Sequence, residues 1–122
     1  MKLIRSFAFA WNGLKICFVA ETNFRIHALL ASVAVLFAIV LRISAYEWIA
    51  TGFCIALVLT MEMLNTAIEK LCDVVQKEFH PGIKTVKDIA AGAVLVTAAF
   101  SIITGCIIFL PKIIALLKTV YN

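Results

Sequence analysis

Glu62, Asn65, Glu69 and Asp73 enter the otherwise apolar segment MEMLNTAIEKLCD, residues 61–73, at intervals of three, four and four. On a helix turning about 100° per residue they share a stripe about 80° wide. Carboxylates gathered on one face suit phosphoryl transfer. Two or three can hold Mg²⁺ against phosphate oxygens, and one more can accept a hydroxyl proton. Glu62 is the most telling of the four, because Leu57 to Met61 lead into it and Met63 to Ile68 follow it. An acid within or at the edge of hydrocarbon is costly and usually faces a site. Asp73 has a plainer reading, as an exposed partner for Lys70 or Lys77.

A second group of polar residues follows in EFHPGIKTVKDIAAGAVL, residues 78–95. Asp88 reads as a favourable charge in the first turn of the next helix. Lys84 and Lys87 are cations that a polyphosphate can approach, and equally residues that fix membrane orientation. His80 sits in HPG, the one turn signal between helices, and has no second histidine nearby to make a metal site. Glu21 joins Glu62 and Glu69 as a candidate carboxylate. The chain has no GxxxxGK[ST], no GxGxxG and no HRD or DFG set. A nucleotide would therefore be gripped through a metal and lysines. A non-enzymatic alternative is a small membrane subunit whose buried stripe relays protons or cations. Such a relay has no use for EFH and KD clustered beside the stripe.

The elements that carry these residues must lie in a bilayer, since 64% of the 122 residues are hydrophobic and only 15% are charged. Residues 26–41 contain no Asp, Glu, Lys or Arg, about 24 Å of helix, which is short and needs flanking side chains to snorkel. The expected architecture is an all-α membrane protein of one domain, residues 1–122. It has an amphipathic interfacial helix over 1–24, spans over 26–45, 46–73 and 88–117, and a cytoplasmic loop over 74–87. Phe7, Trp11, Leu14 and Phe18 form the apolar line of the first helix. Charged residues interrupt the first 27 positions, so no cleaved leader is expected. Lys2, Arg5, Lys15 and Arg25 precede the first span, and Lys70, Lys77, Lys84 and Lys87 surround the second loop. The positive-inside rule then places the N-terminus and the second loop in the cytoplasm. The four cysteines are scattered, with no CxxC, and read as packing residues. Ala93, Thr97, Ser101 and Gly105 put small residues along one edge of the third span, a face suited to close helix packing within or between subunits.

MEMLNTAIEKLCD, KDIAAGAVL, EFHP and the N-terminal WNGLKICFVAETNFRIH together resemble the small bacterial integral-membrane lipid kinases of the diacylglycerol kinase and undecaprenol kinase type. That resemblance implies ATP- and Mg²⁺-dependent phosphorylation of a membrane lipid alcohol. It also implies a homotrimer in the bacterial inner membrane with shared sites at the cytoplasmic face, and no nucleic-acid partner. Glu62 would be the general base with Asn65 beside it, and Glu21 and Glu69 the Mg²⁺ ligands. Lys2, Phe9, Glu21, Glu69, Glu78, His80, Lys87 and Asp88 would contact ATP, Phe9 at the adenine. Trp11, Glu62 and Ala91 would meet the lipid. HPGIK, AAGAVL and Ala91 are closer to the undecaprenol kinase branch, where no hydroxyl is offered at position 91.

Overall fold

A computed structural model describes residues 1–122 as four helices. They are α1 (Lys2–Ala20), α2 (Thr22–Val40), α3 (Ala45–Val75) and α4 (Pro81–Tyr121). All four are long and apolar enough to cross a membrane. The second and third expected spans, 46–73 and 88–117, are carried by longer helices, because a helix continues past the hydrocarbon while the charge count stops at its edge. The first, expected over 26–45, starts earlier, at Thr22, and ends at Val40, short of the turn through Arg42.

Glu21 alone separates α1 from α2, in an extended conformation at φ −109° and ψ 112°. The break falls three residues earlier than the expected end of the first helix at 24. Arg25 holds it. Its guanidinium donates to the carbonyls of Phe18 at 3.1 Å and Val19 at 2.7 Å, and to the Thr22 hydroxyl at 3.2 Å. These carbonyls belong to the last turn of α1, where intrahelical donors run out. Phe7, Trp11, Leu14 and Phe18 are all exposed, and α1 buries only Cys17.

The α2–α3 connection closes through Arg42 at φ 52°, a left-handed residue that ends α2, and Ile43 N–H returns to the Ala38 carbonyl at 3.2 Å. Ser44 then starts α3 with a capping box: its hydroxyl accepts from Glu47 N–H, and the Glu47 carboxylate accepts from Ser44 N–H. Ala38, Ile43 and Ile108 form a small buried cluster where α2, α3 and α4 meet.

Lys87 pairs with Asp73 near one end of the α3–α4 contact and Lys112 pairs with Glu47 near the other. These two pairs fix α3 and α4 as an antiparallel hairpin. The connection is 76–80 rather than 74–87. HPG is not a turn: His80 caps α4, its Nδ1 accepting from Gly82 N–H at 3.0 Å, and Pro81 takes the first helical position. Proline suits that position because its missing N–H would have no intrahelical partner there. Asp88 consequently lies in the second turn of α4, not the first. The small residues Ala93, Thr97, Ser101 and Gly105 are half-buried, and α3 is the helix α4 contacts most.

Candidate active site

The inward face of α3 runs through Thr51, Cys54, Val58, Glu62, Thr66 and Cys72. These positions recur at three, four or six residues, so Glu62 and Thr66 continue the inward stripe that Cys54 and Val58 occupy a turn or two before. Glu62 is buried on it, 4% exposed. α2 supplies the opposing surface through Phe24, His27, Ala31, Ala34 and Ala38, again at steps of three and four. His27 is the polar member of that row. Its Nε2 lies 3.2 Å from Oε1 of Glu62. Glu21 and Glu69 are near enough for their charges to bear on Glu62.

One turn further along α3, Asn65 donates from Nδ2 to Oε1 of Glu69 at 3.4 Å. The carbonyl oxygen of the same amide, Oδ1, is buried with no partner. A buried acceptor without a donor is expensive and marks a place for a ligand, a water or an ion. The same amide meets the Glu69 carboxylate through Nδ2, so the two residues together offer oxygen atoms, as Mg²⁺ prefers. No three acids, histidines or cysteines converge to cage an ion within the chain. Mg²⁺ needs only one or two carboxylates when phosphates and waters complete its shell, so the residues present fit it.

At the end of the hairpin, Lys87 Nζ meets Asp73 Oδ1 at 2.6 Å and Lys84 Nζ meets Asp88 Oδ2 at 2.6 Å. Asp73 thus takes neither Lys70 nor Lys77, since the antiparallel return of α4 brings Lys87 across from it. The hydrogen bond from Lys87 to Asp73 holds that ammonium above the usual lysine range. Glu78 and His80 are exposed in the connection beside these pairs. Lys2, Phe9 and Trp11 project from α1 without burial, and Ala91 is exposed on α4. The polar core that one chain assembles is therefore Glu62 with His27, and Asn65 with Glu69, with Glu21 close by.

Beside this core a cavity of about 280 Å³ opens among α2, α3 and α4. Leu30, Ala34, Ile55, Leu59 and Phe109 are among its apolar walls, and His27 and the buried, unpaired hydroxyl of Thr51 are among its polar ones. His27 touches both the cavity and Glu62. It escaped sequence reasoning because a lone histidine inside a run without Asp, Glu, Lys or Arg was counted with the apolar residues; only its register with Phe24 and Ala31 signals that it faces inward.

Residues 8–109 match the family model described as prokaryotic diacylglycerol kinase. The chain belongs to this family. Among similar proteins, the undecaprenol kinase of Bacillus subtilis (strain 168) is 38% identical over 92% of this chain and 91% of its own length. The diacylglycerol kinase of Synechocystis sp. is 35% identical over 94% of this chain and 66% of its own length. That of Escherichia coli (strain K12) is 30% identical over 88% of each. Family members are lipid kinases, and the apolar helices found here agree with an integral membrane protein of that kind. The relay reading of the polar stripe has no support from these relatives.

Proposed function

We propose that this protein transfers the γ-phosphoryl group of ATP to the primary hydroxyl of a membrane lipid alcohol, with undecaprenol preferred to diacylglycerol. The observation that carries the reading is the buried Glu62, the one acid of the chain placed inside the helix bundle, in contact with His27, which borders an apolar cavity. Glu62 accepts the hydroxyl proton as the lipid oxygen forms its bond to γ-phosphorus and the bond to the β,γ-bridging oxygen breaks, releasing ADP. Mg²⁺, when bound, neutralises charge on the phosphates. Glu69 and Glu21 would hold it, and Asn65, through its free carbonyl, keeps that region polar. Lys87, Lys2, Glu78, His80 and Asp88 bind the nucleotide, and Phe9 packs on the adenine. Trp11 and Ala91 face the lipid.

The protein is a single domain in the inner membrane, with α1 at the interface, three spans, and the N-terminus and the 76–80 connection in the cytoplasm. Three copies form the active unit. Lys2, Phe9 and Trp11 are exposed on α1, free to complete the site of a neighbouring copy. Undecaprenol is favoured because the relative that carries that activity aligns over nearly the whole of both chains, and because Ala91 has no hydroxyl to offer the ester oxygens of diacylglycerol.

The test is transfer of labelled γ-phosphate from Mg·ATP to each lipid in the same mixed micelles. Labelled lipid is expected with both and a higher kcat/KM with undecaprenol. A ratio favouring diacylglycerol by roughly tenfold, about 1.4 kcal/mol, reverses the lipid preference. No labelled lipid with either overturns the function.

A further inference from the structure

We propose that His27 is a positioning residue for the reaction: its Nε2–H donates to Oε1 of Glu62 and so presents Oε2 to the lipid hydroxyl. The inference rests on the reading of Glu62 as the base. His27 Nε2 stands 3.2 Å from Oε1, and no other side chain lies within ion-pair distance of this buried carboxylate. The surrounding ionisable groups make that contact consequential. Glu21 at the α1–α2 break and Glu69 on α3 itself are both acids bearing on Glu62, and Cys17 is the titratable group that α1 turns toward it. Between Asp88 and Lys112, α4 carries no titratable side chain except Cys106, which is exposed. His27 is thus the one ionisable side chain at contact distance that can offer this carboxylate a donor.

The place of His27 in the fold supports the same role. It occupies the row of α2 that buries Phe24 and Ala38 and half-buries Ala31 and Ala34, so apolar packing fixes the backbone from which the imidazole projects. Its side chain is 22% exposed, against 5% for Glu62, and the imidazole also borders the apolar cavity. A base with two equivalent oxygens and free rotation would present either one to the substrate or neither. A donor on Oε1 fixes the carboxylate plane and leaves the second oxygen for the lipid hydroxyl. During transfer the proton moves from the lipid hydroxyl to Oε2, and His27 keeps its own.

Glu62 variants and His27 variants, measured in the same micelles with the lipid that is turned over, separate this role from a structural one. H27A is expected to lower kcat about tenfold to 100-fold, the size of one hydrogen bond to a charged group, with KM for lipid and for ATP within about twofold. H27Q keeps an N–H donor and should recover most of that loss, while H27L fills the space without a donor and should not. In an E62Q background the H27A change should cost nothing more, because the role acts through Glu62. Equal kcat for H27A and the parent protein overturns the proposal, as does a Gln variant no faster than the Leu variant. If the Ala variant does not fold, the Gln and Leu pair decides alone. Full turnover by E62Q removes the base reading and the proposal together, whereas an inactive E62Q beside a normal H27A removes only the role of His27.

Discussion

The pair His27–Glu62 and the two lysine pairs at the start of α4 are alike in type, at 3.2 Å and 2.6 Å, and opposite in environment. The Glu62 side chain is 5% exposed, whereas those of Asp73 and Asp88 are 67% and 63% exposed. Water screens the lysine pairs and can replace either partner, so each contributes little to stability. Glu62 has no such exchange available. Removing its partner leaves a charge in a poorly solvating place, and that cost is much larger. The buried pair is suited to hold one geometry, and the exposed pairs are suited to be broken when phosphate arrives.

The sharpest break of that comparison is E62Q. The amide preserves shape and can still meet His27, but it cannot take a proton. Turnover at saturating lipid should fall by about 10²- to 10⁴-fold. Thermal stability in detergent should hold or rise, because a buried charge has been removed. Near-normal turnover in the purified variant would sink the assignment of Glu62 as base.

The next largest effect belongs to the acids on either side of the buried pair. E69Q and E21Q should each raise the Mg²⁺ concentration for half-maximal rate by about tenfold or more, since each takes one carboxylate from a cation that needs few. E69Q also alters the acceptor that Asn65 uses. Rate against Mg²⁺ at fixed ATP measures this. An unchanged Mg²⁺ requirement in both variants would make these acids part of the packing and not of the metal site.

What could be read from sequence divides along the same line. The stripe Glu62, Asn65 and Glu69 is legible because helical arithmetic is local, and one regular helix does place these residues along one edge. The partner of Glu62 is not legible, since His27 is brought to it by the packing of α2 on α3. The partner of Asp73 fails for the same reason: Lys70 and Lys77 are near in sequence, but Lys87 is near in space once α4 folds back. HPG illustrates a different limit. Proline is compatible with a turn and with the first position of a helix, and the Nδ1 acceptor of His80 decides for the helix. Resemblance identifies the family from motifs alone, yet those motifs carry no information about which pairs the lysines make before nucleotide binds.

The smallest expected effect tests the exposed side of the comparison. D73N removes the hydrogen-bond acceptor of Lys87 and should leave the melting temperature in detergent essentially unchanged. It also frees the ammonium for a phosphate oxygen. KM for Mg·ATP should therefore stay level or fall by up to about fivefold, the equivalent of 1 kcal/mol, with kcat unaltered. K87M should move the same constant upward, because the cation itself is lost. Raising the salt concentration should shrink both differences, as it does for solvated charges. If D73N instead lowered kcat by 100-fold and salt left that loss intact, the Asp73–Lys87 pair would belong with His27–Glu62 as a rigid part of the site, and the division between fixed and exchangeable pairs would fail.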